Sequence, residues 1–135
     1  MVPDHDPHKN KAIVLKALDV LFNQRDFEAA AAFWDPRYIQ HSALIEPGRE
    51  GLFDLVRSLP KFKHEAGAAT ADGDCVMVHS RYTGNERPTA LIGVDIFRVQ
   101  DGILKEHWDV LQDEVTREQS VSGLPMFGGV FPEDR

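Results

Sequence analysis

Between Gly93 and Gln112 two β-rich runs, Val94 to Val99 and Ile103 to Leu111, flank the turn signal Gln100-Asp101-Gly102. The pattern predicts a β-hairpin, and this hairpin constrains the chain more than any other segment. Asp95, Glu106, His107 and Asp109 sit inside its strands, not at their ends. A strand packed on an apolar core cannot bury four such groups without partners, because each desolvated charge is costly. One face of the hairpin must therefore line a cavity or meet solvent.

Register decides which of these groups can cooperate, since a slip of one residue exchanges the faces of a strand. Two registers fit. If Asp101-Gly102 is a two-residue loop, Gln100 pairs with Ile103 and Asp95 faces Trp108, leaving His107 and Asp109 on the opposite side. If Gln100-Asp101-Gly102 is a type I turn with glycine in the left-handed bulge position, Val99 pairs with Ile103. Asp95 then lies across from His107, with Asp109 beside it. Asp followed by Gly suits the second turn better. In that register Gly93, Asp95, His107 and Asp109 form one polar patch, and Arg98, Glu106 and Trp108 share the other face.

Upstream, the pattern changes from period two to helical spacing. Residues 1–7 read as a loose arm. Ala12, Leu15, Leu18, Leu21 and Phe22 predict an amphipathic helix from His8 to Asn23. Asp26 caps a second helix through Phe33, stopped at Pro36, and Tyr38 to Ser42 is a short extended piece. Arg49 to Leu59 forms a third helix with Leu52, Phe53, Val56 and Leu59 on one side, ended by Pro60. Then come four strands of an antiparallel meander: Phe62–Ala71, Cys75–Thr83, Thr89–Val99 and Ile103–Asp113. The tail from Thr116 keeps Met126, Phe127, Val130 and Phe131, which predicts a segment covering an opening or docked on a partner subunit. Helices followed by strands give a single α+β domain over residues 1–135, three N-terminal helices packed on a curved, mostly antiparallel sheet.

Composition narrows the function classes. Lys and Arg number 15 against 22 Asp and Glu, a formal charge of -7, and no basic stripe is present, so nucleic acid is not expected as a partner. The single Cys75 excludes an internal disulfide. Met1 to His8 lacks the basic and apolar regions of a secretory signal, and no apolar run approaches membrane-spanning length. The expectation is a soluble, cytoplasmic protein without a membrane partner.

The two helices, Tyr38-Ile-Gln-His41, Gly48-Arg-Glu-Gly51 opening a helix, Gly93-Val-Asp-Ile-Phe-Arg98 and Asp101-Gly-Ile-Leu-Lys-Glu-His-Trp-Asp109 together resemble the SnoaL-like polyketide cyclase branch of the NTF2-like superfamily, over residues 8 to 115. The resemblance implies a cone with a deep pocket between the helices and the concave sheet, and a homodimer formed through the other sheet face. It also implies that Asp109 occupies the place of the acid/base aspartate of those cyclases. Where they carry a histidine one strand earlier, this chain has Asp95.

Asp109 and Asp95 are accordingly the first candidates for acid/base work, because an apolar cavity raises a carboxyl pKa and two neighbouring carboxylates push their titrations apart. His107, His79 and His41 are further catalytic candidates. His79 and Arg81 share a face with Cys75 and Met77 that runs from apolar to polar, as a pocket wall would. Tyr38, Arg81, Phe53, Trp108 and Phe97 are candidates for contacting substrate. His41, His79 and His107 with an aspartate would make a legitimate metal set, but their spacing supports none, and no metal or cofactor is expected. His64, beside Lys61 and Lys63, reads as a solvated strand start. The leading expectation is a cofactor-free cyclase, isomerase or lyase acting on a small, apolar, carbonyl-bearing molecule. In it Asp109 moves the proton, while Asp95 with His107 or His79 hydrogen-bonds the developing enolate. Two alternatives stay open: a non-catalytic ligand-binding or dimerisation module, and a hydrolase in which Arg81 and the two aspartates activate water.

Overall fold

The computed structural model describes residues 6–135; the first five residues of the expected loose arm, His5 among them, lie outside the described residues. The rest of that arm is already helical. Asp6 caps the first helix by accepting from the His8 N–H, and Pro7 occupies its first turn, where a missing N–H is harmless. Helix α1 (Pro7–Leu18) passes into a π-helical turn over Asp19–Asn23. Its buried stripe is Asn10, Val14, Ala17, Leu18 and Leu21. Ala12, placed in that stripe by spacing, is exposed and Leu15 only half-buried, because the Leu18-Leu21-Phe22 cluster was aligned across the π-turn as if the helix were regular.

Helix α2 is shorter than expected, Phe27–Ala31 with Asp26 as its cap. The chain then enters strand β1 (Trp34–Gln40) two residues before Pro36. Proline is tolerated there because β1 lies at the sheet edge and is bulged between Trp34 and Ile39. Helix α3 follows (Gly48–Ser58), and then β2 (Lys63–Asp72), β3 (Cys75–Thr83), β4 (Leu91–Gln100) and β5 (Ile103–Asp113). Among the described residues the sheet has five strands in the order β1-β5-β4-β3-β2, so the meander is extended by β1, which pairs parallel with β5. Helix α1 packs on β2 and β3, and α3 on β1, which gives an α+β fold with its helices against one face of an open mixed sheet.

Bulges in β1, β2 and β5 bend that sheet. Gly93 allows the bend on β4, because a Cβ there would stand 2.3 Å from the Val110 carbonyl oxygen. The core between helices and sheet includes Phe53, whose ring packs edge-on against Trp34 at 5.7 Å and Phe27 at 6.0 Å. Phe53 is 1% exposed and belongs to this core, not to the pocket wall expected of it. Complete burial of one such ring contributes about 1.5–3 kcal/mol.

The hairpin combines parts of both expected registers. Asp101 and Gly102 both have positive φ, 51° and 78°, the mirror-image turn of a two-residue loop, and Gln100 pairs with Ile103. One extra residue, Lys105, is then accommodated in β5, between the pairs Val99↔Leu104 and Arg98↔Glu106. The bulge restores the face of the second register but moves the pairing by two positions. Asp95 lies directly across from Asp109, and His107 pairs with Phe97.

The tail from Thr116 packs on the convex side of β2 and β3. Phe127 is buried beside the His79 ring at 5.1 Å, and Arg135 reaches Glu65 at 2.8 Å. Among the described residues none from this tail lines the pocket, so it does not cover the opening of its own subunit.

Candidate active site

Strand parity sorts the candidates. Val78 pairs with Asp95, so Val76, Val78, Ser80 and Tyr82 of β3 share the concave face with Asp95, while Cys75, Met77, His79 and Arg81 face outward. On β4 and β5 the concave residues are Asp95, Phe97, His107, Asp109 and Leu111. They meet α1, α3 and the loop after β1 around a pocket with a free volume of about 120 Å³. Its walls are apolar, with Leu18, Phe22, Leu52, Leu55, Phe62 and Leu91 among them. Its polar lining includes Gln40, Ser42, Asp95, His107 and Asp109, with Asn85 and Arg87 from the loop between β3 and β4.

Asp95 is 1% exposed. Its Oδ2 accepts the Tyr82 hydroxyl at 2.6 Å, and its Oδ1 lies 2.8 Å from His107 Nε2. His107 Nδ1 lies 2.6 Å from Gln40 Oε1, so both ring nitrogens face oxygen atoms. Tyr38 stacks on this ring at 6.2 Å and Phe97 flanks it at 4.8 Å, which fixes its plane. Burial alone would raise the Asp95 pKa, but the His107 hydrogen bond and charge, with the Tyr82 hydroxyl, hold it below the ordinary 3.8. The lowered pKa favours the carboxylate form of Asp95, and both of its oxygens and both nitrogens of His107 already have partners.

Asp109 is the opposite case. It is half-buried at the pocket, with its pKa raised above 3.8 mainly by desolvation and also by Asp95, against the pull of Ser42 and His107. A carboxylate short of hydration is a stronger base than one in water. Tyr38, which lines the same pocket, has its hydroxyl pKa raised well above 10.0 by burial and by the charges of Asp95 and Asp109, so it stays protonated.

The other candidates lie elsewhere. His41 follows β1 on the convex side, where its Nε2 contacts Glu106 Oε2 at 2.8 Å and its ring stacks on Trp108 at 4.7 Å. Glu106 also takes Arg98 at 2.9 Å, so Arg98, Glu106 and Trp108 share the outer face. His79 is on that face under Phe127, and Arg81 grips the buried Glu114 through Nε and Nη2 at 2.9–3.2 Å. With Arg81 there, it does not join the two aspartates, although Arg87 lines the pocket with them, and His41, His79 and His107 cannot share an ion. Asp95, His107 and Asp109 do bring one ligand atom each within 4.8 Å of one another. The facing atoms of Asp95 and His107 are spent on each other, so coordination would first have to break that bond. Replacing His41 with Ala is expected to leave pocket binding unchanged and to cost at most about 1 kcal/mol, as for other exposed ion pairs. Urea unfolding and ligand titration of that variant check the placement.

Several pocket residues escaped sequence reading. Tyr82, Gln40 and Ser42 all line the cavity. The parity of β3 could have found Tyr82, since it shares the face of Val76 and Val78. His64, read as solvated, is 6% exposed; its Nε2 contacts Ser80 Oγ at 2.9 Å and its pKa is lowered by burial.

Residues 14–107 match the SnoaL-like domain family. No curated protein sequence matches the chain. Among solved structures it is similar to a candidate ketosteroid isomerase from Kribbella flavida (22% identity, TM-score 0.74, 94% of this chain and 98% of that one). It is also similar to an NTF2-like protein of unknown function from Cytophaga hutchinsonii (15%, 0.67, 76% and 89%). An epoxide hydrolase from M. tuberculosis of the LEH-like kind is a third (16%, 0.65, 79% and 85%). The matched span is most of the chain and contains the paired Asp95 and His107. The chain belongs to the SnoaL-like domain family, within the NTF2-like fold.

Proposed function

We propose that the chain is an acid/base enzyme of the cyclase, isomerase or lyase type that acts on a small, largely apolar, carbonyl-bearing molecule. The observation that carries this reading is Asp109: a half-buried carboxylate of raised pKa, facing an apolar pocket beside a buried Asp95–His107 pair. Asp109 takes a proton from the carbon next to the carbonyl. The C–H electron pair moves into the new C=C bond and the carbonyl pair onto oxygen, giving an enolate, and Asp109 returns the proton at the same or another position. The Asp95–His107–Tyr82 cluster does not touch the transferred proton. It fixes the floor of the pocket and sets the charge against which Asp109 titrates. This chemistry calls on no cofactor.

The test needs no knowledge of the natural substrate. A panel of aryl and cyclic ketones incubated with the protein in D₂O should acquire deuterium at the α carbon, read by NMR, faster than in buffer. Ketones that bind the pocket yet exchange at the buffer rate would reduce the protein to a ligand-binding module.

We further infer that two copies pair through the convex face. Ile39, Val94, Trp108 and Val110 expose apolar surface on the adjacent strands β1, β5 and β4, and Val110 is 72% exposed. Val110→Glu should convert a species of two subunits into one, by hydrodynamic mass. A single-subunit mass for the unsubstituted protein removes this inference. No described helix is long and apolar enough to cross a membrane.

A further inference from the structure

Besides Asp95 and Asp109, one permanently charged side chain lines the pocket, Arg87. Asp95 is spent on His107 and Tyr82, and Asp109 is the proposed base. Arg87 pairs with neither. Of the nine arginines in the chain, all but Arg37 and Arg87 bind a carbonyl or a carboxylate of the protein through the guanidinium, among the described residues. Arg37 lies away from the pocket, on β1 beside Arg98 and Lys105. Arg87 is thus the cation of the pocket, and its guanidinium is not engaged by the fold.

Its backbone, in contrast, is held. Asn85 Nδ2 donates to the Thr89 carbonyl at 3.2 Å and closes the loop around Arg87. Glu86, immediately before it, has a φ of 55°, a conformation that a non-glycine residue keeps only where its surroundings enforce it, and Pro88 fixes the next φ. A residue that is exposed and yet part of a cavity wall stands where the cavity opens to solvent, and Arg87 is such a residue. Arg87, Asp109 and Asp95 are exposed, half-buried and buried in turn, so the charges are ordered from the mouth inward.

We propose that Arg87 selects ligands that carry a carboxylate: the carbonyl end enters towards Asp109, and the acid group stays at the mouth on the guanidinium, whose planar fork suits two carboxylate oxygens. This rests on the reading of the cavity as a site for carbonyl compounds and narrows that class to apolar keto acids. The rest of the molecule opposes such a ligand. With a formal charge of -7 overall and Asp109 inside the pocket, a preference for the anion has to come from Arg87 and not from the general field.

The test uses 4-acetylbenzoate and 4-acetylbenzamide, ketones of matched shape, one anionic and one neutral. Titration of the unsubstituted protein by NMR should show the acid binding about tenfold more tightly than the amide, an advantage that shrinks as salt is added. Arg87→Gln should abolish that advantage and leave the affinity for the amide as it was. Arg37→Gln removes the same charge outside the pocket and should leave the ratio of affinities unchanged. Both positions are exposed, so neither substitution opens the core. Equal binding of the two probes by the unsubstituted protein overturns the proposal while the pocket reading stands. A ratio that falls equally in both variants also overturns it, since net charge would then account for the preference. If neither probe binds or exchanges deuterium, the carbonyl reading fails as well.

Discussion

Asp109→Asn is expected to remove most α-carbon exchange and, at the same time, to stabilise the protein at neutral pH. Loss of a positioned general base costs about 10²–10⁴ in rate, whereas an amide of the same shape leaves the apolar walls that bind the ligand untouched. The stability effect follows from the direction of the titration. The pKa of Asp109 is higher folded than the ordinary 3.8, so the folded state binds more protons than the unfolded one between those two values. Above that window the ionised group is less favourable in the fold than in water, and the penalty persists through pH 7. Asparagine carries no such penalty. The melting temperature of the variant should therefore exceed that of the unsubstituted protein at pH 7, and the gap should close as pH falls below 3.8. Unchanged exchange with a lower melting temperature would make Asp109 a structural residue.

The second large effect belongs to His107. His107→Leu fills a similar space but leaves the Asp95 carboxylate buried with only the neutral Ser80 and Tyr82 beside it. Breaking a buried pair in this way costs about 3–5 kcal/mol, while Asp95→Leu/His107→Leu should recover much of that loss because no charge stays behind. The pH dependence again has a definite sign. Asp95 has a folded pKa below 3.8, so the folded state holds fewer protons, and its contribution is present above 3.8 and lost as pH falls through the folded value. His64, whose pKa burial lowers below 6.5, acts in the same direction from a higher starting point, weakening the fold as pH drops below 6.5. In His107→Leu a protonated Asp95 needs no counter-charge, so the deficit should shrink on acidification. Urea midpoints from pH 7 to pH 4 measure it (a deficit that grows towards acid would contradict the pairing).

Much of this fold was legible in the sequence because its signals are local. The Asp26 cap, the apolar stripe of α3, and the turns at Gly73 and Gly102 each mark their element within a few residues. The face shared by Asp95, His107 and Asp109 was legible too, since a bulged turn groups them on one side and leaves Arg98 and Glu106 to pair on the other. What failed was information held by distant pairings. Strand β1 was read only from Tyr38 because Pro36 reads as a helix stop, whereas its parallel pairing with β5 at the sheet edge extends it back to Trp34. His79 and Arg81 were turned the wrong way because alternating Cys75, Met77, His79 and Arg81 gives a plausible wall on either side. The β3–β4 register, invisible to local pattern, decides the side. Trp34 and Gln40 carry no motif and acquire meaning from the rings and amides that surround them.

Lys105 occupies the extra position that brings the last strand back into step, tied down by its ammonium on Asp35 at 2.7 Å. Were Lys105 instead paired regularly across from Arg98, with the Asp101-Gly102 turn retained, everything after it would rotate by half a pleat. Glu106 and Trp108 would be delivered into the hollow, and His107 and Asp109 would be expelled to the exterior. A single bulge thus stands between a chain that keeps its reactive groups indoors and one that wears them outside.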